Sequence, residues 1–279
     1  MKEYFTGCDD FVRAERLEGA MISANALRHR KSPDIKAGRW MLDSGAFSQI
    51  TLYGDFVMTP KEYVALAVKY QHNGDLACIV TQDYMCEPEV LALLNASVRI
   101  HQHKTVHRYI EILEEARRQG LKVPVMPVLQ GWEVEDYPQH WRMYCRILSE
   151  LKYFGCDLKN PFMDRPQYHG HTGELLNAGQ WMGIGSTCKR NRNPEAVEAI
   201  LDAIHIPYEW YRVHAFGLKT TALRHQGIKD RLYSADSMAY DFADRLEGNL
   251  RTREERSNSA VRWGDGIKHN NVQQHINLE

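Results

Sequence analysis

The sequence predicts an α/β protein, a closed (β/α)8 barrel of one domain with a short polar C-terminal extension. Three observations predict it. Eight short apolar runs alternate with longer stretches of helical periodicity, the pattern of parallel βα units. The chain has 279 residues, a length at which α/β barrels are routinely one domain. The G-x-G-x-x-G turn that would follow the first strand of a doubly wound sheet is missing.

The elements follow in order. Strands are expected at 4–8, 21–24, 40–43, 77–82, 123–129, 181–185, 211–216 and 231–235, each an apolar run bounded by turn or polar residues. Pro124 and Pro127 fall in or beside the fifth, where proline is disfavoured. Helices are expected at 60–72, 87–119, 137–151, 194–205 and 220–227. Pro60 and Pro194 suit a first helical turn, and Gly120 suits a C-terminal cap. Asn95 or Ser97 is a candidate interruption of the second helix. The barrel is assigned to 1–245. The remainder, 246–279, carries Arg251 to Arg256 and then Asn- and Gln-rich text, and is expected to be a polar helix with a mobile end.

Composition narrows the classes. Hydrophobic residues make up 43% and charged residues 25%, enough apolar material for one large core. The net charge of −1 announces no global field for nucleic acid, so any such contact must come from local patches. No apolar run is long enough to span a bilayer. Met1-Lys2-Glu3-Tyr4-Phe5 lacks a secretory pattern, and a cytoplasmic protein is expected. The six cysteines, Cys8, Cys78, Cys86, Cys145, Cys156 and Cys188, show no CxxC spacing and read as free thiols, buried or half-buried.

The chemistry-bearing residues collect where apolar runs end. In order these ends carry Asn25, Asp43-Ser44-Gly45, Gln82-Asp83, Gln130-Gly131, Gly185-Ser186-Thr187, Phe216-Gly217 and Asp236-Ser237. In a barrel they would line one shared pocket at the C-terminal face. One Asp at a strand end is usually a cap or a turn. Three acids, three amides and four glycine-bearing turns at seven successive ends are harder to explain that way. The set suits a flat heterocycle. Asp83 accepts from ring N–H and amino groups, and Gln130 both donates and accepts. The Gly185-Ser186 backbone permits close approach, while Phe47 and Phe216 are available to stack or simply to pack.

With these motifs in place the chain resembles the tRNA-guanine transglycosylase superfamily, most closely its short phage branch, the deazapurine DNA modification transglycosylases (the DpdA family). The resemblance runs over 4–243. It is carried by Asp43-Ser44-Gly45-Ala46-Phe47, Val128-Leu129-Gln130-Gly131, Gly183-Ile184-Gly185-Ser186, His214-Ala215-Phe216-Gly217 and Ala235-Asp236-Ser237. It implies a barrel that exchanges guanine in a polynucleotide for a 7-deazaguanine. Asp236 matches the family nucleophile and Asp43 the acid/base residue. Asp83, Gln130, Gly185 and Ser186 match base-recognition positions, and Phe47 and Phe216 match stacking ones. Ser44, Gly131 and Gly217 lie in the same motifs and are taken as substrate-binding.

The chain departs from the classical pattern twice. Residues 236–279 contain no cysteine, so the zinc cluster of classical members is missing and no cofactor is expected. The turn after Gly185 continues as Thr187-Cys188-Lys189-Arg190-Asn191-Arg192 in place of a family glutamate, and Lys189, Arg190 and Arg192 are candidate phosphate contacts. Both departures favour DNA, with a free 7-deazaguanine (the 7-cyano form among the candidates) as second substrate. The rivals are a tRNA-guanine transglycosylase, a non-catalytic nucleic-acid-binding barrel and a barrel hydrolase of small glycosides.

Other polar clusters read as ordinary surface or core. His101, His103 and His107 share a helix, but no HExxH pattern and no third ligand accompany them. His169 and His171 fall in a polar loop, and His214 reads as a satisfied core residue.

Overall fold

The computed structural model describes residues 1–8, 14, 16–32, 36–153, 180–190, 193–204, 211–219, 221–240 and 252–276. Nine strand segments form one parallel sheet. They are β1 (Glu3–Gly7), β2 (Gly19–Ser23), β3 (Arg39–Asp43), β4 (Asp75–Val80), β5 (Val125–Met126), β6 (Val128–Leu129), β7 (Gln180–Ile184), β8 (Tyr211–Ala215) and β9 (Ser234–Ser237). Their spatial order is β5-β4-β3-β2-β1-β9-β8-β7-β6.

The two ends of that order are halves of one run. The carbonyls of Pro124 and Met126 accept from Ile79 and Thr81 of the fourth-strand side at 3.0 Å each. Those of Pro127 and Leu129 accept from Gly183 and Gly185 at 2.8 Å each. Pro127 has no N–H to give either neighbour, and the ladder changes partner there. Residues 125–129 thus join the sheet's two edges and close a barrel of eight strand positions, as expected of a (β/α)8 fold.

Helices cover the outside: α1 (Ala24–Leu27), α2 (Ala46–Tyr53), α3 (Pro60–Tyr70), α4 (Pro88–Leu93), α5 (Val98–Gln119), α6 (Asp136–Tyr153), α7 (Pro194–Ala203), α8 (Gln226–Arg231) and α9 (Arg253–Ile276). Successive strand residues face opposite ways. Phe5, Met21, Met41, Cys78, Val80, Met126, Val128 and Trp181 fill the barrel interior. Their neighbours Ile22, Leu42 and Ile79 pack outward against the helices, among them Tyr63, Val64 and Val106.

Several expected boundaries move. The interruption expected within 87–119 is found and makes it two helices: Asn95 takes a left-handed φ of +47°, and Ser97 caps α5 by accepting from the Ile100 N–H at 3.4 Å. The last strand begins at Ser234, because 226–231 finishes a helix; Asp236 therefore sits within β9. The segment expected as a helix at 220–227 holds a 3-10 turn at Ala222–Arg224, then the start of α8. Asn25 belongs to α1, two residues past its Ser23 cap. Helix α2 was not anticipated: Gly45, at φ +75°, turns the chain directly from β3 into it.

The C-terminal helix α9 lies against β1, with Ser257, Ala260 and Val261 buried. Among the described residues no helix is long and apolar enough to cross a membrane. The described cysteines are all free; Cys8, Cys78 and Cys86 are buried and Cys145 half-buried, while Cys188 is exposed, contrary to expectation. Cys156, His169 and His171 lie outside the described residues.

Candidate active site

The strand ends do converge. Asp43 is the last residue of β3, and the Gly45 N–H donates to its Oδ2 at 2.9 Å. Burial pushes this carboxyl up to about 6; the Gly45 hydrogen bond opposes the shift and the Asp236 charge adds to it. A methyl on Gly45 would come within 2.3 Å of Asn25 Nδ2, which itself donates to the Gly45 carbonyl at 3.2 Å. Only glycine combines that approach with that φ.

Asp83 follows β4 in a loop and is buried. Burial drives its carboxyl up to about 7, against the hydrogen bond from Gln130, with the Asp43 charge adding to the rise. Gln130 is fixed at both ends. Its Nε2 donates to Asp83 Oδ2, and its Oε1 accepts from the Ser186 hydroxyl at 2.9 Å. This requires Gly185, since a methyl there would sit 2.2 Å from Gln130 Nε2. Ser186 holds a left-handed φ of +57°, a conformation that costs free energy and clusters at functional sites. Tyr137 supports both turns through its hydroxyl, 3.0 Å from the carbonyls of Gly131 and Gly185. A side chain on Gly131 would strike Asp136 at 2.6 Å.

Asp236 is held by one oxygen. Its Oδ1 accepts from the Gly217 N–H at 2.9 Å and lies 3.2 Å from His214 Nε2. The other imidazole nitrogen, Nδ1, is 2.8 Å from the Ser234 hydroxyl. A carboxylate oxygen accepts, so His214 faces Asp236 with an Nε2–H donor while Nδ1 meets the Ser234 hydroxyl. Among the described residues nothing hydrogen-bonds to Asp236 Oδ2. His214 is fully buried, edge-on to Phe216 with ring centres 4.7 Å apart. The expected satisfied core histidine is there, and the buried ring also orients the carboxylate.

Further buried polar atoms face this end of the barrel with no protein partner among the described residues: Asn25 Oδ1, Ser44 Oγ, Gln82 Oε1 and Glu87 Oε2. Glu87 escapes a sequence reading because it precedes Pro88 and looks like a helix cap. It is buried, its carboxyl is raised by that burial, and its Oε1 lies 3.9 Å from the Cys188 thiol. Atoms of this kind are costly unless something hydrogen-bonds to them.

The remaining candidates are dispersed. Phe216 is half-buried on the interior cluster, so tight against Gly183 that a methyl there would sit 2.5 Å from its ring. Phe47 is 61% exposed, on the first turn of α2 at the rim. The Lys189 ammonium pairs with Glu89 at 3.5 Å. The Arg190 guanidinium stacks 4.5 Å from the Trp132 ring centre and donates to the Trp132 carbonyl. Arg192 lies outside the described residues. Among the described residues no group of three or more His, Cys, Asp or Glu side chains is arranged to hold a metal ion.

A closed parallel barrel with three carboxylates and a doubly anchored amide at its C-terminal mouth defines an α/β-barrel enzyme site. The chain belongs to the DpdA family, described as DeoxyPurine in DNA protein A, whose model matches residues 11–156 and 159–276. The family is of the transglycosylase type and is tied to DNA modification. No curated protein matches the chain.

Proposed function

We propose that the protein exchanges guanine in DNA for a free 7-deazaguanine through a covalent aspartyl-nucleotide. The observation that carries this is the tether on Asp236: one oxygen is engaged by Gly217 and His214, and the other has no hydrogen bond among the described residues. Membership of a family of the transglycosylase type supports the reading.

The steps balance. Oδ2 of Asp236 attacks the sugar C1′, and the C1′–N9 bond breaks with its electron pair going to guanine. Asp43, protonated below about pH 6, gives the departing base its proton. The incoming 7-deazaguanine then attacks C1′ through N9, Asp43 takes the N9 proton, and the Asp236 carboxylate is released. Two displacements retain the configuration at C1′, and the oxocarbenium character at each transition state is offset by the neighbouring carboxylate. Asp83, Gln130, Gly185 and Ser186 read the base edge; Phe216, with Phe47 from the rim, stacks on its face. In a duplex the nucleotide must first leave the stack.

The test is base exchange with labelled guanine, run on DNA and on tRNA, with Asp236→Asn as control. Label entering DNA alone, and lost in the variant, is expected. Label in tRNA alone, or intact DNA binding without exchange, overturns the proposal.

A further inference from the structure

We propose that a groove on the outward face of α5, beside the site mouth, binds the phosphodiester backbone of the DNA flanking the target base. This deepens the reading above and rests on it.

The groove has a volume of about 600 Å³ and is lined by Arg99, His103, Lys104, His107 and Arg108, with Tyr84 among its walls. Glu111 is the acid in that lining, and Arg108 pairs with it at 3.5 Å. Arg99 also borders a second cleft of about 240 Å³ between α5 and α6, which adds Arg142 and Arg146 and no acid. Among the described residues Arg99, Lys104 and Arg142 pair with no carboxylate. The His103 imidazole registers this field. Its pKa is lowered, by burial first and then by Arg99, His107 and Arg146. Arg108 also pairs with Asp55 and Arg146 with Glu150, each at 3.8 Å and each at the protein surface; in a chain of net charge −1, such a concentration of cations is a local feature.

Position and length fit the same ligand. Helix α5 follows β4 in sequence, so its first turns lie at the site end of the barrel. Its inner face braces the site: Gln102 Nε2 donates to the Gln130 carbonyl at 2.8 Å, and Thr105 Oγ1 accepts from the Tyr84 N–H at 2.9 Å. Tyr84 lines the groove, and its neighbour Asp83 serves the base pocket. From Arg99 to Arg108 the helix rises about 13 Å, roughly the rise of four phosphates along one strand of B-form DNA. The cations of the turn after Gly185 are already engaged in part, Lys189 with Glu89 and Arg190 with Trp132.

The experiment measures equilibrium binding of a 30-base-pair duplex across a salt series. The variant is Arg99→Ala/Lys104→Ala; both residues are exposed and stand outside the chemistry. A control, Arg117→Ala/Lys122→Ala, removes two exposed cations near the far end of the same helix. A second variant, Arg142→Ala/Arg146→Ala, probes the adjoining cleft independently. The expected result is a Kd raised at least tenfold in each groove variant. For each, the slope of log K against log salt should fall by about 2, at roughly 0.9 for every phosphate left without its cation. The control should match the wild type, and exchange at saturating DNA should keep its rate. Wild-type affinity and slope in both groove variants overturn the proposal, as does wild-type protein that binds tRNA and not DNA. Weakened DNA binding in the variants, with no base exchange by the wild type, would leave the groove standing and remove the reaction instead.

Discussion

Asp236 is held by two direct neighbours, the Gly217 N–H and the His214 imidazole. Removing the imidazole brace leaves the Gly217 N–H alone on Oδ1, and the carboxylate can swing. His214→Gln should lower kcat by roughly ten- to a hundredfold, the scale of a 1 Å misplacement, with little change in KM for DNA. Equal losses in kcat and DNA affinity would refute a positioning role. Asp43 gives a pH test. With its pKa near 6, the proton it must donate is lost as pH rises through that value. Single-turnover release of guanine should therefore fall above about pH 6, while return of a base to the covalent intermediate should rise over the same range. Asp43→Asn should remove both limbs. Asp43, Asp83, Gln130 and Asp236 were legible in the sequence because each ends or closely follows an apolar run. The two buried helpers were not. His214 meets a carboxylate 22 positions on, and Glu87 faces a thiol 101 positions away; no local pattern encodes such pairs.

At the scale of elements, caps decide what periodicity leaves open. Helix α3 opens with a capping box in which Thr59 and Glu62 satisfy each other's backbone N–H. Thr59→Ala should cost about 1 kcal/mol and lower Tm by roughly 2–4 °C in a chain of this size, measured by calorimetry, with base exchange unchanged. Gly185→Ala should do the opposite, keeping the fold and abolishing exchange, because the new methyl displaces the Gln130 carboxamide. Strand and helix positions were readable where apolar spacing ran uninterrupted, as over 60–70 and 211–215. They were misread where backbone conformation rather than hydrophobicity sets the boundary. Gly45, at positive φ, starts a helix that was not expected, whereas the break offered at Asn95 or Ser97 is there, at the positive φ of Asn95.

At the scale of the whole molecule, the barrel is shut twice. Residues 125–129 close the ring of strands, and α9 covers the outer face of β1. The proline conflict in the fifth strand was visible in the sequence; its resolution, one half-strand for each neighbour, depends on partners far along the chain. Burying carboxyls inside this shell links stability to pH. Asp83 ordinarily titrates at 3.8 and is raised to about 7 when folded. Between those values the folded state binds more protons than the unfolded one, so stability present below about pH 4 is lost as pH rises toward 7. Asp83→Asn should flatten that decline, and its Tm advantage over wild type should grow from pH 5 to pH 8. A constant difference would mean that Asp83 does not carry the linkage.

The chain of contacts from Asp83 through Gln130 to Ser186 also bears on fidelity. With both ends of its amide engaged, Gln130 cannot flip to suit a different partner. In the proposed reaction, the donor and acceptor pattern offered to an incoming ring would then be written by a single proton on Asp83. Ionised, that carboxyl offers only acceptors and selects an edge rich in N–H groups. Protonated, it presents a donor and admits the opposite arrangement. Discrimination between bases thus becomes a titration, sharpest in mildly alkaline medium and blurred as acidity rises, and the error rate of the modification would record the pH at which it was made.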